Sequence, residues 1–101
     1  MQLIIDADYD QNELESIDRC IQFLMSVRRG TYPMDRRFGL SWDYIDMNPM
    51  QAANGLAADL SETLPLYEDR VKLDRVAMQY SESGMLEPVI YLKENTEVNN
   101  G

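Results

Sequence analysis

The chain contains no histidine. This excludes Ser/His and Cys/His nucleophilic catalysis and removes the imidazole ligands that most zinc sites use. It has one cysteine, Cys20, so no internal disulfide can form. The apolar helical setting of Cys20 points to a reduced core thiol. Cations are scarce: nine Lys and Arg face eighteen Asp and Glu, for a formal charge of −9. General nucleic-acid binding needs Lys and Arg to displace counterions, and this balance argues against it. No apolar run approaches the ~20 residues of a membrane-spanning helix. MQLIIDADYD carries neither a basic n-region nor a small-residue cleavage site, so a protein made and folded in the cytoplasm is expected. Any enzyme chemistry falls to carboxylates, tyrosines or lysines.

What is present fits one small domain. The length is 101 residues, 45% hydrophobic and 27% charged, enough for a core and ordinary for a water-exposed surface. QLII at 2–5 reads as a short edge strand. Asp10 followed by Glu13 resembles a capping box, worth ~1 kcal/mol. Leu14, Ile17, Ile21, Leu24 and Met25 then recur at helical spacing. Arg28 and Arg29 favour a helix C-terminus and Gly30 a left-handed cap, which predicts a first helix from Gln11 to Arg29. Residues 31–47 have no clean period and predict an ordered loop with a helical turn near Ser41–Asp46. Asn48 caps a second helix, with Pro49 at its first position and Gln51 three residues after the cap. Met50, Ala53, Leu56, Ala57, Leu60 and Leu64 form its predicted apolar stripe, and Pro65 is expected to stop it. Gly55 costs up to ~1 kcal/mol in a helix interior relative to alanine, so its presence implies close packing there.

From Arg70 the period becomes two. Val71 and Leu73 share one phase, and Val76, Met78 and Tyr80 share the other. The slip at Asp74–Arg75 predicts a β-bulge or a strand that changes its packing face. SESG at 81–84 is a turn, and MLEPVIYLK is a second strand. Both faces of that strand are apolar, so it is central or covered, while Pro88 points to an edge or a bulge. An edge strand with two apolar faces invites a partner. The expected fold is α+β, with two main helices packed on a small sheet that contains a C-terminal β-hairpin. One domain spans 1–93, and 94–101 is a polar, disordered tail.

Several clusters bear on chemistry. Asp6, Asp8 and Asp10 open like a calcium loop, but Gln11 stands where glycine is required and Ile17 where a bidentate glutamate is required. The stretch reads as a solvated acidic helix start, and no metal or cofactor is assigned. Arg28, Arg29, Arg36 and Arg37 concentrate four of the nine cations, and pairing with carboxylates is the expected use. Tyr32, Phe38, Trp42 and Tyr44 are core fillers first and interface anchors second. Glu68 and Asp69 are adjacent carboxylates. On a strand they would point to opposite faces, so a glycosidase pair would need a distant partner such as Glu62, Glu82 or Glu87, and nothing selects one. As a surface pair, Glu68 and Arg70 contribute ~0–1 kcal/mol. Buried by a partner chain, the loss of one charge costs on the order of 2–5 kcal/mol.

The helix IDRCIQFLMSVRRGTYPMD, the block RRFGLSWDYIDMNP with its Phe38-Gly39-Leu40, and the second helix leading into LYEDRVKLDRVAMQY and GMLEPVIYLK together span Leu14 to Lys93. In this arrangement the chain resembles the baseplate wedge and sheath-initiator family of contractile tails. That family includes the lysozyme-like-named wedge subunit of contractile-tailed phages and its type VI secretion counterpart. Its most specific mark is a Glu-Pro-Arg tripeptide, which here reads Glu68-Asp69-Arg70, with a second negative charge in place of the proline. The resemblance implies a non-enzymatic baseplate component of a phage tail, tail-like bacteriocin or injection particle, present in six copies per ring. Its implied partners are the wedge proteins and the tail sheath, with the tube or hub as a further contact. Glu68 and Arg70 would dock on the wedge core. The terminal strand, with Glu87, Val89, Tyr91 and Lys93 as its contact residues, suits strand addition to sheath subunits. The alternatives from other classes are a small muramidase-like hydrolase acting on peptidoglycan and a generic acidic adaptor.

Overall fold

A computed structural model describes residues 2–31, 34, 38–44 and 47–96. Tyr32, Pro33, Arg36, Arg37, the end of the expected Ser41–Asp46 turn and the tail from position 97 lie outside the described residues. Five elements follow in order: β1 (Gln2–Asp6), α1 (Gln11–Ser26), α2 (Pro49–Tyr67), β2 (Val71–Tyr80) and β3 (Leu86–Glu94). The fold is α+β, with the two helices packed on a three-stranded sheet of order β1-β3-β2.

Both helix starts form as their caps dictate. The Asp10 carboxylate accepts from the Glu13 N–H at 2.8 Å, and the Asn48 side chain accepts from the Gln51 N–H at 2.9 Å. Each satisfies one of the orphan donors of the first turn. Ile17, Ile21, Leu24 and Met25 of α1 are buried in the common core. The helix ends at Ser26, three residues before the expected end, because Val27 turns extended and Arg28 bridges Leu40. The Arg29 N–H donates to the Leu40 carbonyl at 2.9 Å and the Leu40 N–H to the Val27 carbonyl at 3.1 Å. These loop bonds replace the last helical turn. Gly30 is left-handed, with φ +93°, but it serves the turn closed by Thr31 N–H on the Arg28 carbonyl and does not cap the helix. Gly39, with φ +104°, lies so close to the Val27 carbonyl that a Cβ there would collide with backbone.

Two features of α2 depart from expectation. Pro65 does not stop the helix, which continues to Tyr67. The residue is exposed, as is Ser61, whose carbonyl the missing N–H leaves free. Water can satisfy that carbonyl, and Glu68 N–H on the Leu64 carbonyl at 2.8 Å closes the last turn. The buried stripe is Ala52, Leu56, Asp59, Leu60, Thr63 and Leu64, while Met50 is 75% exposed. It is rotated from the purely apolar expectation because two polar residues face the core. Gly55 is the predicted close approach: a Cβ there would lie 2.5 Å from Cγ of the Tyr44 ring.

β1 is an edge strand, as expected, and runs parallel to β3 with Leu3 opposite Ile90. β2 runs antiparallel to β3. Leu73 faces Leu92 and Arg75 faces Tyr91, so Asp74 is the extra residue of a bulge at the predicted slip. β3 is not the edge that Pro88 signalled. It is the central strand, with β1 on one side and β2 on the other. β1 pairs with it only from Val89 onward, so Pro88 sits where β3 has one paired neighbour. The free edges of the sheet belong to β1 and β2. Glu94 still pairs with Val71, one residue beyond the expected domain end.

Gly55→Ala is therefore expected to destabilise the protein by about 1–3 kcal/mol through overpacking against Tyr44, although alanine is the better helix former. Urea unfolding of the two proteins checks this, and equal or greater stability of the variant contradicts it.

Candidate functional site

The corner between α2 and β2 holds the residues that the sequence singles out. Glu68 is the C-terminal cap of α2 and leaves helical geometry with φ −148° and ψ 84°. Asp69 and Arg70 turn the chain into β2. This reversal brings Arg70 back over Glu68 in a two-point contact: Nε donates to Oε1 at 2.8 Å and Nη2 to Oε2 at 2.6 Å. The Arg70 backbone N–H also donates to Oε1, at 3.2 Å. The Glu68 side chain is 3% exposed and that of Arg70 34%. The pair is thus not an exposed surface bridge. It is a planar, bidentate, largely buried ion pair that closes within one chain.

The rest of the fold converges on the same point. Arg70 Nη2 donates to the Ser16 hydroxyl of α1 at 3.3 Å. The Tyr9 hydroxyl donates to the Arg70 carbonyl at 2.9 Å, and the Asn95 N–H donates to the same oxygen at 3.1 Å. The Asn95 side chain donates to the Asp69 carbonyl at 3.1 Å. The start of the expected tail is thereby tied to the corner. Asp69 itself is exposed.

The charges follow from this packing. Burial alone pushes the Glu68 carboxyl up. The bonds from the Arg70 guanidinium and backbone, the Arg70 charge and the Cys20 thiol outweigh it, and the carboxyl lies below its ordinary 4.5. The bond to Glu68 holds the Arg70 guanidinium above its usual range despite burial. Cys20 is half-buried, and its thiol donates to the Tyr67 carbonyl at 3.5 Å. Burial first, then the Glu68 charge, raises its pKa, which makes it a poor nucleophile.

Sequence reasoning missed a second buried carboxylate. Asp59 lies on the core side of α2, 7% exposed. It accepts from the Arg29 guanidinium, from the Ser41 N–H at 2.8 Å and hydroxyl at 3.2 Å, and from the Tyr44 hydroxyl at 3.0 Å. Arg29 also reaches the Thr63 hydroxyl at 3.1 Å. Burial and the neighbouring Asp59 charge push the Tyr44 phenol well above its normal range. The available signal was an acid at a stripe position, between Leu56 and Leu60. The apolar period discards that signal because it counts only hydrophobes.

β3 carries the other four predicted residues. Glu87, Val89, Tyr91 and Lys93 alternate along it, so they share one face, opposite the Ile90 and Leu92 that enter the core. Lys93 lies near the Glu68–Arg70 corner, opposite Lys72, and Glu87 lies toward the hairpin tip, opposite Gln79. An apolar groove of about 430 Å³ opens beside Met25, Trp42, Tyr44, Met47, Met78 and Leu86, and among the described residues its lining carries no carboxylate. A second groove of about 360 Å³, between β1 and α1, is lined by Glu15 and Asp18 among others.

Removing either partner of the corner pair should be costly. Arg70→Ala, which strands a buried carboxylate, is expected to lose about 2–4 kcal/mol, judged by chemical denaturation. Glu68→Gln should lose less, with a definite pH dependence. The folded-state pKa of Glu68 is lowered, so its contribution is complete above the ordinary carboxylate range and disappears as pH falls through the folded value. The stability gap between wild type and Glu68→Gln should therefore close on acidification below about pH 4. A gap independent of pH would show that the carboxylate charge contributes nothing.

No protein-family model matches the sequence, and no curated protein matches it. The fold is nonetheless similar to that of a protein from Geobacter sulfurreducens, provisionally named a tail lysozyme and solved by crystallography at 1.44 Å. The TM-score is 0.52 at 18% identity, and the match covers 91% of this chain and 98% of that one. The two proteins share a fold along nearly their whole lengths.

Proposed function

We propose that the chain is a structural, non-enzymatic baseplate component of a contractile tail or injection machine. In this reading it links the wedge core to the first sheath ring and templates sheath assembly. The observation that carries the proposal is the shared fold with a protein named for a tail, which extends over 98% of that chain. Of the three sequence blocks that resemble sheath initiators, the first lies mainly on α1 and the third on α2, β2 and β3, while the second falls between the helices. The protein would be made in the bacterial cytoplasm, enter the baseplate in six copies and meet wedge and sheath subunits there.

The corner geometry refines the docking role. Glu68 has its oxygens occupied inside the chain and is 3% exposed, whereas Arg70 keeps a third of its side chain accessible and Asp69 is exposed. The wedge contact therefore falls on Arg70 and Asp69, and Glu68 fixes the guanidinium that a neighbour would touch. Strand addition, in turn, has the open edges of β1 and β2 available, since both edges of β3 are paired.

The neighbour's name also fits a muramidase. Against that reading, the bonds from Arg70 outweigh burial and hold the Glu68 carboxyl below its ordinary value, whereas a general acid needs a raised pKa. Two measurements on one system decide between the readings. Deleting the gene from cells that make contractile particles should leave tubes or baseplates without sheath, with the wild-type gene restoring sheathed particles seen by electron microscopy. Purified protein should leave peptidoglycan intact at acidic pH. Sheathed particles of normal length in the deletion strain overturn the proposal. So does peptidoglycan turnover that is lost in Glu15→Gln or Asp18→Asn, the carboxylates of the groove between β1 and α1.

A further inference from the structure

Residues 41–44 run between the two helices, and Trp42 and Tyr44 of this stretch border the apolar groove. Its polar ties to the fold converge on a single atom. Asp59 Oδ2 accepts from the Ser41 N–H at 2.8 Å, from the Ser41 hydroxyl at 3.2 Å and from the Tyr44 hydroxyl at 3.0 Å. The other oxygen, Oδ1, takes the Arg29 guanidinium, which holds the carboxylate in place. The remaining ties are weaker. Trp42 Nε1 donates to the Met25 carbonyl at 3.3 Å, and Asp43 meets Arg28 at 3.6 Å with both side chains largely exposed. The residue just before is anchored differently. Leu40 is fully buried and bonded to the backbone of Val27 and Arg29.

The same stretch carries an unfavourable backbone. Trp42 has φ +57°, and among the described residues it alone, apart from glycines, is left-handed. A bulky side chain crowds its own backbone in that region, so the conformation persists only where surrounding contacts enforce it. Here they flank it, through Ser41 and Tyr44 on Asp59. The Trp42 ring tilts against the Tyr44 ring at 5.7 Å, and Tyr44 in turn lies against Gly55 of α2. We propose that Ser41–Tyr44 is a strap that Asp59 latches shut over the groove. Breaking the bonds to Oδ2 frees Trp42 from its left-handed backbone and lifts the Tyr44 ring off Gly55, with Leu40 as the fixed end. The groove then widens toward Ala52 and Leu56 of its lining. Backbone strain favours the open strap, while the buried carboxylate and the packed Tyr44 ring favour the closed one. The proposal is independent of any tail role.

The test uses the full chain. Trp42 is its one tryptophan, so fluorescence reports the strap directly. In native-state amide exchange, Ser41 should open at a lower free energy, and with a weaker denaturant dependence, than Leu40 and the amides of β3. Asp59→Asn should speed exchange at Ser41 about tenfold or more, because bonds to a charged acceptor are the stronger ones. It should also shift Trp42 emission to the red and raise its quenching by acrylamide, with the far-ultraviolet dichroism of a folded chain. Tyr44→Phe removes one bond to Oδ2 and keeps the ring and the Arg29 pair. It should move the same readouts in the same direction by less, and it decides the matter if Asp59→Asn does not fold. Exchange of Ser41 together with Leu40 and β3, at one free energy and one denaturant slope, overturns the strap. Unchanged Ser41 exchange and Trp42 quenching in either folded variant overturns the latch.

Discussion

Glu68 places a carboxylate, almost fully withdrawn from water, at the point where α2 ends and the chain must reverse into β2. A charge in that position is tolerable only if it is paired and hydrogen-bonded. Arg70 supplies both, through two side-chain bonds and one backbone bond. Because the two residues are only two positions apart, satisfying the carboxylate also dictates the turn between them. The same arginine holds Ser16 of α1 through its side chain, and Tyr9 and Asn95 through its carbonyl. The linker after β1, both helices, β2 and the segment after β3 therefore meet at one pair. Its value lies as much in setting how the elements join as in stabilising the fold, since an ion pair of this kind recovers little beyond the cost of its own desolvation.

Asp59 plays the corresponding part in the middle of α2. Arg29, Ser41 and Tyr44 all come from the irregular stretch between the helices, and all donate to this one carboxylate. That stretch has little regular structure to hold it. Its order comes from a buried acceptor on α2, from the Leu40 bonds to Val27 and Arg29, and from Gly39, which admits the close backbone approach. The glycine at position 55 lets the Tyr44 ring lie against α2, close enough for its hydroxyl to reach Asp59.

What the sequence made legible follows from which interactions are local. Both caps, the α1 stripe, the bulge at Asp74 and the close approach at Gly55 were readable, because each depends on spacing within one segment. The end of α1, the continuation of α2 through Pro65 and the choice between a central and an edge place for β3 were not. Each is decided outside its own segment: Leu40 captures the chain after Val27, the exposed position of Pro65 and Ser61 leaves that carbonyl open to water, and β1 crosses the whole sequence to lie beside β3. The candidate site divides in the same way. The importance of Glu68 and Arg70 was visible, but their closure on each other inside the fold depends on a corner that only the folded chain defines. Asp59 was passed over because its donors lie on a different segment.

These constraints bear on how the molecule can meet others. The corner pair is already satisfied, so a neighbour gains from Arg70 only what its exposed edge offers. β3 is paired on both sides, so its own edges cannot receive a strand over most of its length. What the fold leaves open is the outer sheet face and the edges of β1 and β2. The bulge at Asp74 interrupts the outer edge of β2 and places charged residues on either side, which is how natural edges resist indiscriminate pairing. Beyond the bulge, Val76 to Tyr80 carry no charge at all. Any strand that joins β2 is thus guided toward the hairpin tip, where the ladder is regular. Its side chains on one face would then lie next to Arg75, Ala77 and Gln79 of β2.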